Sequence, residues 1–86
     1  MNNRELIKIF IAMGNERRFF ILKHLLNKKE LSVGQIAELI NLSFKSVSSH
    51  LAVLYGAELI DVRQSGLNRF YSIKTGISKD IVKFLN

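Results

Sequence analysis

Apolar positions recur at helical spacing through most of the chain and switch to alternation near residue 59. The first stretch, residues 3–13, carries Leu6, Ile7, Ile9, Phe10, Ile11 and Met13. At 100° per residue these occupy more than one face, so the spacing predicts a helix with two partners, its own core and another chain. Gly14-Asn15 interrupts the pattern. Asn15 reads as an N-cap, with Glu16 in the first turn where the helix dipole favours an acid. A second helix is predicted to about residue 27, with Phe19, Ile21, Leu22, Leu25 and Leu26 on one stripe. Phe20 and His24 fall off that stripe. Phe20 is expected to pack on the first helix or on a partner chain, and His24 to lie at the surface or an interface.

Ser32-Val33-Gly34-Gln35 has the form of a capping box, Ser32 capping and Gln35 three residues on. Ile36, Ala37 and Ile40 mark the inner face of a short third helix, and Asn41 is suited to the left-handed conformation that ends one. Ser43 then caps a fourth helix over about residues 44–57, so that two helices stand about three residues apart as a helix-turn-helix. Phe44, Val47, Leu51, Leu54 and Tyr55 project to one side of this helix. Lys45, Ser46, Ser49 and Ala52 project to the other, with Ser48 at the margin. Alternation over residues 59–64, a turn at Ser65-Gly66-Leu67-Asn68 and renewed alternation over 69–73 predict a hairpin. A last helix over 77–85 places Ile77, Ile81, Phe84 and Leu85 on one side.

Residues 43–51 read Ser-Phe-Lys-Ser-Val-Ser-Ser-His-Leu. Serine is a mediocre helix former, so a surface helix under no other demand would favour Ala, Glu or Lys. An α-helix fits the major groove of B-DNA, and small polar or basic side chains reach base edges there. No acid falls between Phe44 and Ala57, which suits a surface that approaches phosphates. Lys45 is therefore expected to bind phosphate or a guanine edge, and Ser46, Ser48 and Ser49 to make base or phosphate hydrogen bonds. Arg63, Gln64 and Arg69 flank the hairpin turn, where arginines reach phosphates or the minor groove. His50 lies at the edge of the apolar face. Its position is that of a helix-packing histidine with a satisfied ring. Arg18 points toward the apolar side of its helix and is expected to brace the fold through a hydrogen bond.

Charge supports the same direction. Thirteen Lys and Arg face seven Asp and Glu, a net charge of +6, and an excess of that size favours polyanions. Cysteine is absent, which removes thiolate metal sites, redox switching and cysteine nucleophiles. With no glycine-rich phosphate loop and no paired carboxylates beside a histidine, catalysis has no candidate residues, and no cofactor is expected. No apolar run approaches the length of a membrane span and no signal-peptide pattern is present, so a cytoplasmic location is expected.

Several segments together resemble the ArsR/SmtB-type winged-helix repressors of bacteria and archaea. They are Gly14-Asn15-Glu16-Arg17-Arg18 with Ile21-Leu22, then Glu30-Leu31-Ser32-Val33-Gly34-Gln35-Ile36-Ala37. Val47-Ser48-x-His50-Leu51-x-x-Leu54 follows, then Gly56-Ala57-Glu58-Leu59-Ile60 with Arg63 and Tyr71. The resemblance spans roughly residues 5–74. It implies a homodimer on a palindromic double-stranded DNA operator, with the first and last helices forming the dimer interface, and a contact to the DNA backbone as a second, equally open reading for His50. Metal sensors of that family carry cysteines in the third helix, where this chain has Ser32 and Gly34. Others use carboxylates and histidines on the last helix, where only Asp80 stands. Neither a metal nor a small-molecule effector is therefore expected. Relatives often hold glutamine near Phe44 and basic residues near Ser49 and Ala52, so a shallower salt dependence is expected of this fourth helix.

The expectation is a mainly α chain with a small β-hairpin, an α+β winged helix-turn-helix of about five helices and a two-stranded wing. It is one domain over 1–86, with the helix-turn-helix at about 33–57 and the wing at about 59–73. The terminal helices, 3–13 and 77–85, would supply Leu6, Ile7, Phe10, Ile77, Ile81, Phe84 and Leu85 to the dimer. The function expected is a sequence-specific repressor acting by operator occupancy. The alternatives are a winged-helix protein-interaction module or an architectural DNA binder without sequence preference.

Overall fold

Each of the five helices starts on a small polar side chain that accepts from a backbone N–H of its first turn. Asn2 accepts from Glu5, Asn15 from Arg18, Ser32 from Gln35, Ser43 from Ser46 and Ser78 from Asp80. Such caps satisfy donors that the helix itself leaves unpaired, and each contributes about 1 kcal/mol. At Ser32 the cap is reciprocal, because Gln35 Oε1 accepts from the Ser32 N–H at 2.8 Å. The computed structural model describes residues 1–86. Its elements are α1 (Asn3–Met13), α2 (Glu16–Lys28), β1 (Leu31–Ser32), α3 (Val33–Ile40), α4 (Phe44–Gly56), β2 (Ile60–Ser65), β3 (Asn68–Ile73) and α5 (Lys79–Leu85).

The helix-turn-helix forms as its residues dictate. Asn41 takes the left-handed conformation at φ 54° and ψ 53°, and the Leu42 N–H reaches back to Ala37 O at 3.1 Å. α3 therefore stops sharply, and Ser43 restarts the chain as α4 in a new direction. At the far end of α4 the left-handed residue is Glu58, φ 57°, rather than Gly56.

The sheet has three strands, in the order β1-β3-β2, all antiparallel. The expected two-stranded wing is the β2–β3 hairpin, and β1 joins it as a short third strand. Leu31 and Ser32 pair with Tyr71 and Phe70, which anchors the base of the hairpin against the start of α3. β2 and β3 pair from Ile60↔Ile73 to Ser65↔Asn68 and leave Gly66-Leu67 as a two-residue turn. Gly66 has φ 61°, a conformation that a glycine adopts without steric cost. The hairpin is tied off beyond β3, where the Thr75 N–H donates to Asp61 Oδ2 at 2.9 Å. That bond comes first among the causes that hold the Asp61 carboxyl below its usual pKa, with Lys74 adding to it.

Sixteen buried side chains form one core and all are apolar. Ile9 and Ala12 of α1, Ile21, Leu22 and Leu25 of α2, Ile36 of α3 and Val47, Leu51 and Leu54 of α4 supply most of it. Two residues expected at a dimer interface belong here instead. Ile81 and Leu85 are 7% and 2% exposed within a single chain, because the inner side of α5 closes the open end of the core. Two residues expected on the apolar side of α4 move the other way. Phe44 and Tyr55 are 64% and 54% exposed, since they lie at the margin of the stripe centred on Val47, Leu51 and Leu54. Phe20 is also exposed, its ring edge-on to Phe19 at 6.1 Å.

Candidate nucleic-acid interface

α4 lies with Val47, Leu51 and Leu54 in the core, which turns Lys45, Ser49 and Ala52 outward into solvent. No acidic side chain stands on this helix. Ser46 and Ser48 are half-buried at its two margins. The Ser46 hydroxyl accepts from Ser43 Oγ at 3.0 Å and so takes part in the cap as well as facing outward.

The hairpin stands beside α4, and an open groove of about 870 Å³ runs between them. Phe44 and Tyr55 line it from the helix, and Val62, Leu67, Arg69 and Tyr71 from the hairpin. Gln64 and Arg69 face one another across the β2–β3 ladder next to the turn, and both are exposed. Leu67 at the turn is fully exposed. Helix and hairpin therefore present one continuous surface, polar along the outer stripe of α4, basic at Lys45 and Arg69, and apolar along the groove.

Ser46 and Gln64, whose Nε2 donates to Gly66 O at 3.4 Å, bond only to near neighbours in the chain, whereas two of the expected contact residues are engaged by residues far away in sequence. The Arg63 Nε donates to Glu30 Oε2 at 3.0 Å and Nη2 to Glu30 Oε1 at 2.8 Å. The same guanidinium lies 4.9 Å from the centre of the Phe70 ring. This is a planar fork gripping a carboxylate and stacking on an aromatic face. The hydrogen bonds hold the Glu30 carboxyl below its usual pKa and raise that of Arg63. Arg63 is thus a clasp between the wing and the segment before β1, with its side chain still exposed to solvent.

His50 is the other. Arg18 Nη1 lies 3.3 Å from His50 Nδ1, so the ring accepts there and its proton sits on Nε2. Burial lowers the His50 pKa below its ordinary value, and the charges of Arg18 and Arg17 lower it further. The rest of the Arg18 guanidinium serves the end of α1, with Nε donating to Ala12 O at 2.8 Å and Nη2 to Ile11 O at 3.3 Å. The expected bracing role of Arg18 is thus visible, and of the two readings open for His50 the geometry displays the packing one.

A second surface lies on α1. Ile9 and Ala12 point into the core, while Leu6, Ile7, Phe10 and Ile11 are exposed. Phe84 of α5 is exposed as well and Ile77 is half-buried. Residues of α1 and of the segment entering α5 line one shallow cleft. No cluster of three or more His, Cys, Asp or Glu is placed to hold a metal ion, and no helix is long and apolar enough to cross a membrane.

Comparison with known proteins gives consistent matches. The family described as "Bacterial regulatory protein, arsR family" matches residues 15–62. The chain is 34% identical over 99% of its length to the transcriptional activator HlyU of Vibrio cholerae, covering 78% of that protein. It is also 34% identical over 99% of its length to the transcriptional repressor SdpR of Bacillus subtilis, covering 88% of it. The solved structure of HlyU from Vibrio cholerae superposes with a TM-score of 0.85 at 33% identity, covering 99% of this chain and 94% of that one. A homodimeric winged helix-turn-helix DNA-binding domain from Mycobacterium bovis superposes with a TM-score of 0.78 at 26% identity, covering 95% of this chain and 72% of that one.

Proposed function

The chain belongs to the arsR family of bacterial regulatory proteins, and from that premise we propose that it is a homodimeric, sequence-specific DNA-binding repressor. One observation carries the reading. The side of α4 that makes no core contact is free of acids, bears Lys45 and Ser49, and shares a surface with Arg69 and Gln64 of the hairpin. A helix of this width enters the major groove while the hairpin follows the adjacent backbone. Lys45, Ser46, Ser48 and Ser49 then contact base edges and phosphates, and Gln64 and Arg69 contact the backbone or minor groove. His50 and Arg63 keep Arg18 and Glu30 as partners and position the helix and wing.

A second copy covers the outward apolar face of α1, as the homodimeric relative encourages. Two copies related by a two-fold axis read two half-sites about one helical turn apart, hence a palindromic operator. Repression follows from occupancy, because a dimer seated over a promoter excludes polymerase. The relatives include a protein named as an activator and one named as a repressor, so the sign of regulation is tested directly.

Selection of bound duplexes from random DNA tests the reading, and a two-fold symmetric site is expected. Lys45→Glu and Arg69→Glu should each weaken binding to that site about tenfold or more, the loss associated with ~1–3 kcal/mol per base or phosphate contact. Arg63→Gln, which loosens the clasp to Glu30 but leaves Lys45 and Arg69 in place, should weaken binding less than either charge reversal. Run-off transcription from a promoter overlapping the site should fall as protein is added. Absence of any enriched sequence, or indifference to both charge reversals, overturns the proposal, and increased transcription overturns repression alone.

A further inference from the structure

The outer stripe of α4 is short of groups that identify bases by hydrogen bonding. Guanine is recognised in the major groove by Arg or Lys, adenine by Asn or Gln and cytosine by Asp or Glu. From Phe44 to Gly56 the helix contains no Arg, Asn, Gln, Asp or Glu, and Lys45 is its one cation besides a His50 engaged by Arg18. The serines bond to several bases without choosing among them. What remains is apolar. Phe44 and Ala52 are exposed, stay outside the core and line the groove between helix and hairpin, with Ser48 between them at helical spacing. Phe44 is the first residue of the helix, the end from which a recognition helix contacts base edges.

Thymine is the base that offers an apolar group in the major groove, its 5-methyl, and Phe and Ala are side chains that pack against it. We infer that Phe44 and Ala52 read thymine 5-methyl groups, and that sequence selectivity in this protein rests on those methyls more than on hydrogen bonds. The inference depends on the DNA-binding reading above. It accounts for a phenylalanine exposed at the N-terminal turn of the helix, where its exposure rules out a core role.

The experiment uses the intact chain and the duplex selected from random DNA, resynthesised with deoxyuridine in place of thymidine one position at a time. Base pairing and phosphates stay the same and only a methyl is lost. At one or more half-site positions affinity should fall about fourfold, the fold-change for ~0.8 kcal/mol of one buried methyl-sized group. Phe44→Ala should bind thymine and uracil forms equally at the position Phe44 covers. Because Phe44 lies outside the core, this variant is expected to fold, and circular dichroism verifies that. Equal binding of every uracil duplex by the unaltered chain overturns the inference while leaving DNA binding intact. The same holds if uracil is neutral and 7-deazaguanine abolishes binding, which assigns selectivity to Lys45. If no duplex is selected at all, the DNA-binding reading falls first and this one with it.

Discussion

Replacing Ile7 and Phe10 with aspartate is expected to leave a folded monomer that has lost at least 100-fold in affinity for a two-half-site operator, within the ~10²–10⁴ range of linked binding. Both residues are 56% exposed on α1, whose core contribution comes from Ile9 and Ala12. In a single chain the two aspartates remain solvated. Their cost is a helix-propensity penalty of roughly 0.5 kcal/mol each, small for a domain of this size. Across a two-fold axis the same carboxylates would be buried without partners, which costs several kcal/mol per ion. The dimer therefore dissociates although the fold persists. DNA binding falls with it because the second half-site is then engaged by a free molecule and not by a tethered one. Sedimentation at micromolar concentration should change from twice the chain mass to one, with the helical dichroism unchanged. A double variant that still sediments as a dimer would remove α1 from the interface, and a monomer with full operator affinity would remove the two-fold operator.

The parts of this fold that were legible in the sequence are those set by neighbours a few residues away. Asn15, Ser32 with Gln35, Asn41 and Ser43 bound their helices because a cap and its hydrogen-bond partner are only three or four residues apart. β1 escaped because it is two residues long, its second residue is also the cap of α3, and its partners Tyr71 and Phe70 lie about forty positions on. The clasp of Arg63 on Glu30 is hidden from the sequence for the same reason, since the two are 33 residues apart. Ile81 and Leu85 were assigned to a dimer because an apolar stripe on a short helix looks alike whether its own core or a second chain covers it. Phe44 is ambiguous in the sequence. Its angle on the helical projection is at the edge of the apolar sector, and three-dimensional packing put that edge outside, where it faces the groove.

Arg18→Ala is expected to lower stability by about 2 kcal/mol and the melting temperature by roughly 10 °C, given 4–8 °C per kcal/mol for a domain of this length. Arg18 accepts nothing and donates everything. Its Nε and Nη2 satisfy the carbonyls of Ala12 and Ile11 in the last turn of α1, where the helix offers no internal donor. α1 has no basic residue of its own in that turn, so the guanidinium also supplies the cation that the helix dipole favours there. Its third contact, to His50 Nδ1, links this corner to α4 and requires a neutral imidazole. The His50 pKa is lowered by burial first and then by Arg18 and Arg17, so the unfolded chain binds a proton more readily than the folded one. Stability from this group is therefore fully present above its ordinary value of 6.5 and declines as pH falls through that value toward the lowered one. Glu30 and Asp61, whose carboxyls are held down by Arg63 and by the Thr75 N–H, lose their contributions only below their ordinary values of 4.5 and 3.8. Two acid limbs are thus expected in thermal melts, the upper one from His50. His50→Gln keeps an acceptor without a titrating proton and should erase the upper limb while leaving the lower one in place. Arg18→Lys should recover only part of the loss, because a single ammonium does not reach two carbonyls and an imidazole with the geometry of a fork. An Arg18→Ala chain that melts with the unaltered protein, or an upper limb that survives His50→Gln, would show that this corner does not hold α1 to α4.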